Sequence, residues 1–193
     1  MPRRSKLQRE DIVNKAYEIV KEEGFSSINA RRIAKELNCS IQPIFYNFAT
    51  MEELNKVVTE KIYNKFKELI NNSTDEEKPY LAKGMGYIKF AKEYPEFFKI
   101  LFMRKSELSP QEFILADKVT SESVIQAGQS VFNLSYEEQS KLHTKIWLIT
   151  HGLACLVATE TINYSENEIK ELLGSSTREI IAGHKAIEGG SNE

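Results

Sequence analysis

The sequence predicts an all-α protein. Apolar residues recur at helical spacing from about residue 8 onward, serine, threonine and asparagine caps open successive segments, and no stretch alternates apolar with polar residues as a half-buried strand does. Ile12, Val13, Ala16, Ile19 and Val20 share one face, with Gly24 placed as a C-terminal cap, so a first helix covers about residues 8–23. Asn29 can accept a bond from an otherwise orphaned backbone N–H and open a second helix with Ile33, Ala34 and Leu37 on its apolar side. Asn38 follows, a residue type that tolerates the left-handed backbone of a sharp helix stop. Ser40 is placed to cap a third helix, in whose first turn Pro43 breaks no intrahelical bond.

Thr50 with Glu53 forms a capping-box pattern for a longer fourth helix that carries Leu54, Val57, Val58, Ile62, Phe66, Leu69 and Ile70. Roughly twenty residues at 1.5 Å each make a strut about 30 Å long. Further on, Tyr80 to Ala91 is amphipathic despite Gly84 and Gly86, and Pro95 stops one helix and opens the next. Ser109-Pro110-Gln111-Glu112 is a helix start, followed by Phe113, Ala116, Thr120, Val124, Ala127 and Val131 on one face. Ser135 with Glu138 and Ser165 with Glu168 open the last two long helices, and the Gly189–Glu193 tail is expected to fray. About nine helices result. The expected organisation is an N-terminal domain over residues 1–50, a connecting helix over 51–71 and a helical bundle over 72–193.

The second and third helices, joined by a polar corner of about four residues, have the spacing of a DNA-reading helix-turn-helix. Gly24-Phe25, Asn29, Ile33-Ala34, Ser40, Phe48, Glu52 and Leu54 stand in the order and spacing of the tetracycline-repressor (TetR) family, which this segment resembles. Asn29 stands where that family usually has Thr, Asn38 for Gly, Cys39 for Val, Phe45 for Tyr, Asn47 for His and Met51 for Lys. The first three changes keep the cap, the corner and an apolar plug. The last three remove a phenol, an imidazole and an ammonium that such proteins place on DNA phosphates. Farther along, Tyr87, Phe90-Ala91, Pro95, Phe98 and Phe102, then Trp147 and His151-Gly152, resemble a regulatory domain of the same family with a Trp…His-Gly signature.

Composition agrees with such a protein. At 193 residues, 41% hydrophobic and 28% charged, the chain has the make-up of a soluble globular protein large enough to bury a core. The MPRRSKLQRED start contains no apolar signal segment, and the longest apolar run, Ile146 to Ala158, is too short to cross a bilayer. Two cysteines without CxxC spacing argue against a disulfide framework or zinc site and point to the cytoplasm. The net charge is −2, yet residues 1–50 hold nine Lys/Arg against six acids, whereas the remainder holds 17 against 22. One basic end on an acidic body suits contact with phosphates.

Base readout falls on Ile41, Gln42, Phe45 and Tyr46: Gln42 can pair bidentately with adenine, and the apolar groups can meet a thymine methyl. Phe45 fits equally as a core anchor, whereas Ile44 and Phe48 are expected in the core. Phosphate contacts are expected from Arg3, Arg4, Lys6, Arg9, Arg31, Arg32, Tyr46 and Asn47, and from the helix starts at Asn29 and Ser40. No metal or other cofactor is expected: His143 and His151 are eight residues apart, about 12 Å along one helix, too far to chelate one ion. Cys39 and Cys155 fit as packing residues. No catalytic constellation appears, and the expectation is a protein that is not an enzyme.

The resemblance implies a pocket for a small apolar or amphipathic effector, placed on Phe90, Phe98, Phe102, Trp147 and His151. The apolar circumference of the penultimate helix implies a homodimer, with Gly152, Leu156, Ile169, Leu173, Ile180 and His184 at the interface. The function expected is a cytoplasmic homodimeric repressor that binds a palindromic double-stranded operator and is released by the effector. A DNA-binding regulator without ligand control stays open beside it. So does an all-α ligand-binding protein or enzyme with a decayed helix-turn-helix.

Overall fold

Eight α-helices and no strand make up the described residues of the computed structural model, which are 7–75, 77–105 and 134–189 with positions 122, 125, 126 and 129 between them. The helix expected from Ser109 onward and the Gly-rich tail after Gly189 lie outside the described residues. Two compact units emerge. One holds the chain up to Phe66 together with Tyr94–Arg104, and the other holds Lys67–Glu93 and Lys105–Glu193.

In the first unit, α1 (Arg9–Glu23) buries Ile12, Val13, Ala16, Ile19 and Val20, the stripe expected of it. Gly24 at φ 75° ends the helix with its N–H on the Val20 carbonyl. A side chain there is disfavoured twice, by the backbone and because a Cβ would lie 2.7 Å from Glu96 Oε2. After one 3₁₀ turn, α2 (Ala30–Glu36) starts at Asn29, whose side chain accepts the Arg32 N–H at 2.9 Å. Asn38 adopts φ 52°, the left-handed corner expected of it. α3 (Gln42–Asn47) follows with Pro43 in its first turn. Ser40 does not cap it: Ile41 occupies the cap position in helical backbone, and no side chain satisfies the first N–H groups. Ile41 alone separates Ser40 from α3, so the serine stands one residue too early to be its cap.

The start of α4 (Met51–Asn72) carries a variant of the expected box. The Glu53 N–H donates to Thr50 Oγ1 at 3.1 Å, while the Glu53 carboxylate accepts from the N–H of Ala49 rather than that of Thr50. Arg9 joins these pieces: it donates to the Asn47 carbonyl at 2.6 Å and to Glu53 at 2.9 Å, and its guanidinium lies 4.0 Å from the Phe48 ring centroid. The Ala49 N–H and Arg9 hold the Glu53 carboxyl below its ordinary pKa. Leu54, Val58, Ile62 and Phe66 are the buried edge of α4 in this unit. The short α6 (Pro95–Phe102) brings aromatics to the same core. Phe97 packs 4.7 Å from Tyr17 of α1, and Phe102 lies 5.1 Å from Phe66 and 5.2 Å from Phe98.

The second unit consists of the last turn of α4, α5 (Pro79–Glu93), α7 (Tyr136–Ala158) and α8 (Glu166–Gly189). Both α7 and α8 open with the expected reciprocal boxes: Ser135 and Ser165 each donate their N–H to the glutamate three residues on, at 2.8 Å. Gly86 costs α5 helix propensity but is needed where it stands, since a Cβ would collide with Ser73 Oγ. The interior is apolar around Ile88, Phe90, Leu142, Ile146, Leu153, Ile169 and Leu173, yet Gln139, Ser140, His143 and Thr150 are buried with them.

Two outcomes follow from this packing. Phe97→Ala removes a fully buried ring between α1 and α6, and is expected to cost about 3–5 kcal/mol in a denaturant titration. The second concerns acid. Burial pushes His143 down to about 4 from 6.5, so below about pH 6.5 the unfolded chain takes up a proton that the folded chain refuses until about pH 4. Stability is therefore insensitive to this group above pH 7 and falls by roughly 3 kcal/mol as pH drops through that window. Denaturation midpoints at pH 7, 5.5 and 4.5 check the slope, which His143→Gln is expected to flatten.

Candidate nucleic-acid interface and ligand-site residues

α3 and the residues flanking it have two faces. Ile44 and the following Phe48 are buried in the first unit, Pro43 and Asn47 are half-buried, and Ile41, Gln42, Phe45 and Tyr46 face solvent. Phe45, which fitted core and surface equally in sequence, is 48% exposed and Tyr46 77%, so both lie on the outer face with Gln42. Ile41, Phe45 and Tyr46 thus leave large apolar groups in water on and beside a short helix.

The cations sort differently from one another. Arg31 on α2 is exposed, and no described group pairs with it. Arg32, next in sequence, is held by Glu23 at 2.9 Å and Glu36 at 3.0 Å, which raise its pKa further. Lys35 is exposed four residues from Arg31 and likewise has no described partner. Sequence reasoning missed it as a donor, although the i,i+4 spacing from Arg31 was there to find. Arg9 is engaged by Asn47, Glu53 and Phe48. Asn29 caps α2, the Asn47 amide donates to the Pro43 carbonyl at 2.8 Å, and Ser40 is exposed. Arg3, Arg4 and Lys6 lie outside the described residues.

The five effector candidates separate. Phe98 and Phe102 belong to the aromatic core of the first unit, and Phe90, Trp147 and His151 to the second. In the second unit Trp147 and His151 stack at 4.5 Å with their planes 7° apart. The Tyr87 hydroxyl lies 3.0 Å from His151 Nδ1, and the Cys155 Sγ 3.4 Å from Nε2. Burial lowers the His151 pKa, raises that of Cys155 and raises Tyr87 well above its ordinary value, so all three groups are held uncharged. A parallel pair went unnoticed in the sequence: the Tyr80 hydroxyl is 3.1 Å from His143 Nδ1.

The interface candidates also divide. Gly152 and Leu156 are exposed, and a Cβ at Gly152 would meet nothing within 4 Å. Ile169 and Leu173 are 3% and 2% exposed, buried in the protomer's own core. Ile180 packs, half-buried, against Tyr80, Leu142 and Ile146, and His184 is half-buried. The exposed apolar residues of α7 and α8 include Leu148, at 56%, and Leu172. Leu148, Gly152 and Leu156 repeat every four residues and so form one outward stripe.

Among the described residues no group of His, Cys, Asp and Glu could hold a metal ion, and no helix is long and apolar enough to cross a membrane. The sequence matches no protein-family model and no curated protein. Solved structures are similar at the level of fold. A TetR-like transcriptional regulator from Rhodococcus sp. RHA1 aligns with a TM-score of 0.65 at 15% identity, over 95% of this chain and 99% of that one. Another transcriptional regulator from Rhodococcus sp. Rha1 aligns with a TM-score of 0.59 at 13% identity, over 92% of this chain and 97% of that one. The chain has the TetR-like fold, with α2 and α3 as its helix-turn-helix.

Proposed function

We propose that the protein is a homodimeric, sequence-specific DNA-binding transcription regulator, a cytoplasmic repressor that a small-molecule effector releases from its operator. The observation that carries DNA binding is the outer face of α3, where Ile41, Gln42, Phe45 and Tyr46 stand in solvent while Ile44 and Phe48 anchor the helix. Inserted in a major groove, Gln42 can accept and donate at an adenine edge while Ile41 and Phe45 cover thymine methyls, which favours A·T-containing half-sites. Arg31 and Lys35 supply phosphate contacts without first breaking an internal ion pair. Arg32 does not have that freedom.

Two such helices must be spaced about 34–36 Å apart to read successive major grooves on one side of the duplex. The stripe Leu148, Gly152 and Leu156, with Leu172, supports pairing of two protomers through α7 and α8, since paired copies would cover each other's exposed apolar groups. An effector acts by binding more tightly to the arrangement whose reading helices are mis-spaced, and bound operator must then weaken effector binding by the same factor.

Selection from random duplexes followed by titration tests the readout. Gln42→Ala is expected to cost about 1–3 kcal/mol on the selected site and to relax preference at one base pair. Arg31→Ala should weaken all duplexes alike and reduce the salt slope by about one, whereas Arg32→Ala should leave that slope nearly unchanged. A Gln42→Ala protein that is folded yet keeps full affinity and preference would refute the assignment of α3. For assembly, Leu148→Asp puts a charge on the proposed interface and should convert a sedimenting dimer to monomer, with operator affinity falling alongside. A wild type that is monomeric at micromolar concentration and still binds a palindrome tightly contradicts the dimer.

A further inference from the structure

Within the second unit, the buried face of α7 carries a polar side chain that bonds to none of the described residues. Gln139 is 0% exposed, and among the described residues neither its Oε1 nor its Nε2 has a hydrogen-bond partner. A primary amide offers one acceptor and two donors, and folded proteins rarely leave all of them unmet in the interior. Had this position served packing alone, leucine or methionine would fill the same space without that penalty.

One turn farther along, on the same face, stands His143, itself buried and bonded through Nδ1 to the Tyr80 hydroxyl of α5. Leu142 and Ile146 flank these groups, with Leu134, Ile180 and Ile181 packed against the same cluster. The polar groups are all uncharged: burial alone lowers the His143 pKa and raises that of Tyr80, with no neighbouring charge contributing. An anion or cation brought here would lose its hydration and meet no counter-charge among the described residues. A neutral group with a donor beside an acceptor would match Gln139 atom for atom.

We propose that Gln139, together with the His143–Tyr80 pair, forms the polar end of an interior effector site that takes an uncharged amide-like ligand, such as a primary amide or lactam, with its apolar part against Leu142 and Ile146. This deepens the ligand-controlled regulator described above and rests on it for its biological use. The site lies one to two turns before Trp147, the only tryptophan in the chain, so occupancy has a built-in fluorescence reporter.

The test is a Trp147 fluorescence titration of the full-length protein with benzamide, and with benzoate and toluene as charged and apolar probes of like size. Benzamide is expected to bind at least ~10-fold more tightly than either, and Gln139→Leu should erase that preference while the unliganded melting temperature stays level or rises. Equal binding of the three probes, or no binding of benzamide, overturns the site. A clear fall in melting temperature in both Gln139→Leu and Gln139→Met also overturns it, because the amide then has partners within the protein. Operator release measured in parallel separates the two claims. Gln139-dependent binding without release would refute ligand control and leave the site standing, whereas release by benzamide that is indifferent to Gln139→Leu would refute the site and leave ligand control standing.

Discussion

A six-residue helix is far too short to persist in water by itself, because nucleation fixes several dihedral angles for each of the first hydrogen bonds gained. The outer face of α3 is therefore only as well placed as the burial of its inner edge. Ile44 and Phe48 supply that burial, and Arg9 ties the end of the helix to the start of α4 by bonding the Asn47 carbonyl and Glu53 while lying over the Phe48 ring. Arg9 is thereby engaged within the protein, where it holds the end of α3 in place. The same local economy applies to Arg32, clasped by Glu23 and Glu36, and leaves Arg31 and Lys35 as the exposed cations of α2.

The second unit solves a different problem. Its long helices α7 and α8 carry more apolar surface than one interior needs. Ile169 and Leu173 turn inward, while Leu148, Leu156 and Leu172 remain in solvent. Polar groups run the other way, with Gln139, His143 and Thr150 buried and neutral. Thr150 bonds back to the Ile146 carbonyl and His143 to Tyr80, so each has a local partner. Gln139 has none among the described residues.

Much was legible in the sequence because it depends on neighbours along the chain. The helix-turn-helix, the left-handed Asn38, the Gly24 stop and the boxes at Ser135 and Ser165 are set by residues within four positions of one another. Ser40 shows the limit of that reasoning, since the helix begins one residue later than the hydroxyl could serve. Phe45 shows another: helical spacing alone placed it equally well in the core or outside.

The sequence by itself determined the class of fold, the positions of most helix ends and Ile41, Gln42 and Tyr46 as candidate contact residues, because those follow from local hydrogen bonding and a 3.6-residue period. Tertiary structure alone decided that the PEFFKILF helix joins the N-terminal core, that Arg9 and Arg32 are engaged by the protein, and that Leu148 rather than Leu173 faces outward. Those outcomes depend on which faces meet across dozens of residues of chain, and on a helix apolar all round the period cannot say which side another element will cover.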